Sequence, residues 1–81
     1  MYYVYVLRSK RNGKRYIGYA ADLRRRMREH GSGGAAFTSR NGPWELVYYE
    51  AFLDKNHAQR EERFLKTGKG RERLRFLFLD V

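Results

Sequence analysis

The chain contains no cysteine, which excludes disulfides and thiolate metal sites. It has one proline, Pro43, and its only run of small, weakly structured residues is Ser32–Ala36, read as a flexible loop. No apolar run is long enough to span a bilayer. Met1 leads straight into strand-like residues, without the basic and apolar segments of a secretory leader. The expectation is a cytoplasmic protein with no membrane partner. Negative charge is scarce: nine Asp and Glu stand against eighteen Lys and Arg, for a net charge of +9 over 81 residues. Such an excess in so short a chain points to a polyanionic partner, nucleic acid first and an acidic membrane surface second. No G-x-x-x-x-G-K-[ST] phosphate loop and no H-E-x-x-H zinc motif occurs, and Gly68-Lys69-Gly70 is too short to cradle a nucleotide.

Aromatic residues make up 16% of the chain, enough to build a core from few positions. A length of 81 residues predicts one domain covering residues 1–81. Residues 2–8, Y-Y-V-Y-V-L-R, read as a strand, and residues 14–20, K-R-Y-I-G-Y-A, as its return. Asn12-Gly13 between them is a strong hairpin signal, because a type I′ turn needs positive φ at both central residues. Asp22 is placed to cap a helix over 23–30, with Leu23 and Met27 on its buried stripe and Gly31 at its end. Pro43 introduces a third strand, in which Trp44, Leu46 and Tyr48 alternate with Glu45, Val47 and Tyr49. A second helix runs from Asp54 to Lys66, Thr67–Gly70 breaks it, and a last helix over 71–79 offers Leu74, Leu77 and Phe78 as one face. The order β-β-α-β-α-α makes an α+β domain, a small three-stranded antiparallel sheet flanked by helices.

With Asn12 and Gly13 as the two turn residues, Tyr5 opposes Ala20 and Tyr16 opposes Ser9. Tyr5, Leu7, Tyr16 and Gly18 then share one face, the two phenols roughly 13 Å apart along the strands. A wider loop of the same parity brings them closer. On the first helix Arg26 and His30 are an i, i+4 pair and project from one side. An arginine fork matches phosphate oxygens, and a histidine beside it can shuttle a proton near neutral pH. Arg24, Arg25 and Arg28 point elsewhere and read as phosphate-binding or simply solvated charge. On the second helix Glu62 lies within about 40° of Ala58 on a helical wheel and so at the core-facing edge. A carboxylate there needs a partner: a divalent metal, an arginine, or Lys66 one turn away. Two phenols, an arginine, a histidine and a glutamate are the parts list of phosphodiester hydrolysis, which must deprotonate water and stabilise a charged phosphorus centre.

These residues resemble the GIY-YIG nucleases, and most of all their small single-domain bacterial branch, across essentially the whole chain. Y-V-Y-V-L at 3–7 resembles the first motif, with Tyr5 as its tyrosine, and Y-I-G at 16–18 is the second, with Tyr16. D-L-R-R-R-M-R-E-H at 22–30 is similar to the family helix, and R-E-E-R-F-L-K-T-G-K-G-R at 60–71 to the segment that carries the family's glutamate. P-W-E-L-V-Y-Y-E at 43–50 resembles the third strand of the small branch. Tyr3-Val4-Tyr5 stands where Gly-Ile-Tyr is usual, Ala20 where a hydroxyl residue is common, and no counterpart of a later asparagine is found.

The resemblance implies a metal-dependent DNA endonuclease, of use in DNA repair or processing. It implies Tyr5, Tyr16, Arg26 and His30 as catalytic residues and Glu62, rather than Glu61, as ligand to one divalent cation, magnesium with manganese as its substitute. One tyrosine activates water with the help of His30 and the other orients the phosphate or nucleophile; the resemblance does not say which. Arg24, Arg25, Arg28, Lys66, Lys69 and Arg71 are the expected contacts to DNA, or to RNA, which shares the same backbone chemistry. With no appended reading domain, specificity is expected from substrate shape, a protein partner or a homodimer. The alternative is a module of the same fold that binds nucleic acid without cutting it, and a structural or protein-interaction domain is the third reading.

Overall fold

The computed structural model describes residues 1–31 and 40–78; the expected Ser32–Ala36 loop lies outside them, as does the predicted end of the last helix at Leu79. The described elements are β1 (Tyr2–Ser9), β2 (Arg15–Ala20), α1 (Leu23–Gly31), β3 (Trp44–Phe52), α2 (Lys55–Leu65) and α3 (Gly68–Phe78). The strands form one antiparallel sheet in the order β2-β1-β3. The α+β architecture and its element order are those expected from the sequence.

The central strand is buried on both faces, which is why Val4, Tyr5, Val6 and Leu7 form an unbroken run at 1% exposure or less. Val4 and Val6 pack with Ala58 and Leu65 of α2 and Leu74 of α3. Tyr5 and Leu7 turn to the other face, where Ala20 is buried with them and Leu23 and Met27 of α1 pack alongside. Burying a leucine such as Leu65 or Leu74 contributes about 1.5–3 kcal/mol, and the described residues form two buried clusters, one on each face of the sheet.

Three local expectations are corrected. The hairpin loop is two residues wider than a type I′ turn: Ser9 N–H donates to Lys14 O (2.8 Å) and Gly13 N–H to Ser9 O (2.9 Å), with Gly13 at φ +76°. The Ser9 hydroxyl accounts for the extra width. Its oxygen accepts from the amides of Arg11 (3.1 Å) and Asn12 (3.2 Å), folding the chain before Asn12-Gly13 is reached. Tyr5 therefore opposes Gly18, not Ala20, and Tyr16 opposes Leu7, not Ser9. In β3 the alternation breaks, because Val6 pairs with Tyr48 and Leu7 with Leu46, leaving Val47 as a bulge residue. Trp44 accordingly packs with Tyr5 and Leu7, while Tyr48 joins the α2 side.

The third correction concerns α3, which begins at Gly68, three residues before the expected start. Thr67 caps it: its Oγ1 accepts from Gly70 N–H (3.2 Å) and donates to Phe64 O (2.6 Å). Gly70 is a packing residue, not a breaker, since a Cβ there would overlap the backbone of Phe64 and Leu65. Gly70 and Leu74 are buried, Phe78 packs against the core that holds Leu74, and Leu77, expected on the same face, is 42% exposed. The other helix signals hold. Asp22 Oδ1 accepts from Arg25 N–H (3.0 Å), and Asp54 Oδ1 from Asn56 N–H (2.7 Å).

Candidate functional site

The corrected register builds the site. Tyr5 and Tyr16 stand two residues apart along neighbouring strands, with ring centroids at 6.2 Å. Gly18, directly opposite Tyr5, lets the phenol lie flat across β2; a Cβ there would overlap the Tyr5 Cζ and Oη. Asp22 sets where α1 starts, and two turns later His30 arrives beside both rings, at centroid distances of 5.7 Å from Tyr5 and 5.1 Å from Tyr16. The Tyr5 hydroxyl and His30 Nε2 share a hydrogen bond of 2.8 Å. Both are buried, Tyr5 fully and His30 at 6% exposure.

Burial sets the charge state of this pair. It pushes the Tyr5 phenol up to about 12, with neighbouring Tyr16 adding to the rise and Arg26 opposing it. Burial, then the Arg26 cation, hold the His30 imidazole below its ordinary range, against the pull of Glu29. Both groups are therefore uncharged at neutral pH. Arg26 acts on both, and its Nε is held by Glu29 Oε1 at 3.0 Å. The structure thus brings Tyr5, Tyr16, Arg26 and His30 to one face of the sheet.

Glu62 comes from the other side. It lies on α2, whose Ala58 and Leu65 pack beneath Val4 and Val6. Its side chain is 23% exposed, and Oε2 pairs with Lys66 Nζ at 3.0 Å. Glu61 flanks the opposite edge of the same apolar stripe and is bound by Arg73, which also holds Glu50 at 3.1 Å. The two neighbouring glutamates thus have different partners, Glu62 a lysine on its own helix and Glu61 an arginine of α3.

The Glu50–Arg73–Glu61 cluster escaped the sequence reading, because its members come from β3, α3 and α2 and no spacing links them. Burial pushes Glu50 up, but hydrogen bonds from Glu61, Arg73 and Tyr48 outweigh it and keep its carboxyl below the usual range. Burial and the bond to Glu50 raise Glu61. Burial and the Glu50 carboxylate push the Tyr48 phenol up to about 12.

Of the expected nucleic-acid contacts, Lys66 and Arg71 line a groove of about 620 Å³ between the hairpin and α3. Arg25 lines a smaller recess of about 300 Å³ with Arg26 and Glu29, and its Nε lies 3.4 Å from Glu29. Arg24, Arg28 and Lys69 are exposed on α1 and α3. No three acidic or imidazole groups converge among the described residues, so an all-protein metal cage is absent there. A single partly exposed carboxylate such as Glu62, its Oε2 now on Lys66, does suit Mg²⁺, which keeps several waters and binds through one or two carboxylates plus substrate phosphate. Among the described residues no helix is long and apolar enough to cross a membrane.

Comparison with known proteins shows the family. The chain is 42% identical over 76 residues to a UPF0213 protein of Streptococcus pneumoniae, covering 93% of this chain and 76% of that one. It is 35% identical over 77 residues to UPF0213 protein SSP2268 of Staphylococcus saprophyticus, covering 94% and 93%. The solution NMR structure of UPF0213 protein BH0048 from Bacillus halodurans matches with a TM-score of 0.59 at 41% identity, over 95% of this chain and 85% of that one. The GIY-YIG catalytic domain profile matches residues 1–74, so the chain belongs to the GIY-YIG family.

Proposed function

We propose that this protein is a metal-dependent endonuclease that hydrolyses phosphodiester bonds in DNA, in repair or processing within the cytoplasm. The observation that carries the reading is the packing of Tyr5, Tyr16 and His30 into one cluster beside Arg26, made possible by Gly18. The cluster sets a phenol, an imidazole and a guanidinium side by side, the groups that proton transfer and phosphate binding need. Tyr5 is enclosed and its phenol resists ionisation, so it positions His30. Tyr16 is only half-buried and also lines the groove. In this reading Tyr16 is the phenol that passes a proton between the attacking water and the imidazole of His30, 5.1 Å away between ring centroids. Arg26 supplies a fixed cation for the phosphate. Glu62 would hold the divalent ion, which supplies Lewis-acid polarisation of the phosphate when bound.

The test is cleavage of supercoiled, linear and branched DNA with Mg²⁺, with Mn²⁺ and with chelator, beside Glu62→Ala. Metal-dependent nicking that Glu62→Ala abolishes, while binding persists, supports the reading. A second reading, a binding module that does not cut, draws on the Glu62–Lys66 ion pair, which satisfies the carboxylate without any metal. It expects no nicking by the wild type and unchanged or tighter DNA binding by Glu62→Ala.

A further inference from the structure

We infer that the groove between the hairpin and α3, not the arginine-rich outer surface of α1, is the seat of the nucleic-acid backbone, with Lys14, Arg15 and Arg75 as phosphate contacts beside Lys66 and Arg71. This rests on the reading that the partner is nucleic acid. Among the described residues the lining carries five cations and no carboxylate, Lys66 being paired with a glutamate, Glu62, that lies outside it. They come from separate elements that the fold brings together: Lys14 and Arg15 at the start of β2, Lys66 just after α2, Arg71 and Arg75 on one stripe of α3. Like charges gathered in one concavity repel and focus a positive potential there, which a polyanion relieves.

The helix α1 offers a weaker case. Two of its four arginines, Arg25 and Arg26, are held by Glu29, and the recess beside them also contains Asp22. The groove also meets the proposed machinery at two points. Tyr16 is part of its wall, and Lys66 joins it to Glu62. A strand held by the groove is therefore delivered beside the tyrosine–histidine cluster. Lys14, Arg15 and Arg75 carry no sequence motif; only the fold assembles them.

The test is fluorescence anisotropy with a short duplex in chelator, across salt concentrations. It compares wild type, Lys14→Gln/Arg75→Gln and Arg24→Gln/Arg28→Gln. Each phosphate contact contributes about 0.9 to the slope of log K against log salt. The groove double variant should lose about 1.8 of slope, so its binding defect at 50 mM salt is roughly tenfold larger than at 200 mM. The α1 double variant should keep the wild-type slope. Lys14 and Arg75 are both exposed, and a melting curve for each variant confirms folding; Arg71→Gln with Lys14→Gln serves if the first pair melts early. An unchanged slope for the groove variant, or an equal loss for the α1 variant, overturns the inference. Because chelator removes cutting from the measurement, a slope that moves in a protein that never cleaves sinks only the nuclease. Cleavage by a protein whose groove variant binds normally sinks only the groove.

Discussion

Replacing Gly18 with alanine tests the contact on which the site depends. In an ordinary strand the change favours folding, since glycine costs more chain entropy than alanine, by about 0.4–1 kcal/mol. Here the added methyl would overlap the Tyr5 Cζ and Oη. That ring cannot swing into solvent, because it is fully buried and bonded to His30 at 2.8 Å. Overpacking of this kind costs about 1–3 kcal/mol, so the expected net effect is destabilisation. For a domain of this size each kcal/mol lowers Tm by about 4–8 °C. The cause is isolated by a double-mutant cycle with Tyr5→Leu, whose side chain is too short to reach across β2. In that background Gly18→Ala should become neutral or stabilising by the entropic term alone. The assay is urea denaturation of the four proteins, read as unfolding free energies. Additive effects, with Gly18→Ala equally harmful in both backgrounds, would refute the claim that the glycine exists to seat the phenol.

The remaining expectations follow from single interactions. Asp54→Ala removes the acceptor that caps α2 through Asn56 N–H at 2.7 Å and should cost about 1 kcal/mol of stability in urea. His30 is held below its ordinary value of 6.5, so in the window beneath that value the unfolded chain binds more protons than the folded one. Stability should therefore fall as the pH drops below 6.5, and a His30→Asn variant should show a flatter profile of urea midpoint against pH. Lys66→Gln frees Glu62 from an ion pair worth about 0.2–1 kcal/mol. Calorimetry with Mn²⁺ and no DNA should then show about 1.5- to 5-fold tighter binding; equal or weaker affinity would mean that Glu62 is not the metal's ligand.

Much of this fold was legible because burial writes directly into composition. The β-branched and aromatic run at 2–8 announced a strand, though not its central place, and Asp22 and Asp54 announced two helix starts. What was not legible depended on side chains that outbid the backbone locally. Ser9 hydrogen-bonds two loop amides and widens the hairpin. Val47 bulges and sends Trp44 and Tyr48 to opposite faces. Gly70 reads as a helix breaker until the backbone of Phe64 and Leu65 is packed against it. The Glu50–Arg73–Glu61 cluster joins three elements, and no local pattern encodes such a meeting.

For the site itself, faces were legible and distances were not. Side chains alternate with a period of two, so any even shift of register keeps Tyr5, Tyr16 and Gly18 on one face. The shift from Ala20 to Gly18 as the partner of Tyr5 was such an even step, and it moved two separated phenols into ring contact. A hairpin tighter by two residues would conserve every motif residue and lose the cluster. The same step sets Tyr16 and Ile17 at the outer strand of the sheet, where consecutive residues serve different faces: Tyr16 packs with the Tyr5 cluster and Ile17 with the α2 core. Because β2 is an edge strand that carries Tyr16, a chain lying in the groove meets that phenol in the groove wall. The loop closed by Ser9 thus governs access as well as geometry, and Ser9→Ala should loosen both, lowering stability and disturbing the Tyr5–Tyr16 contact together.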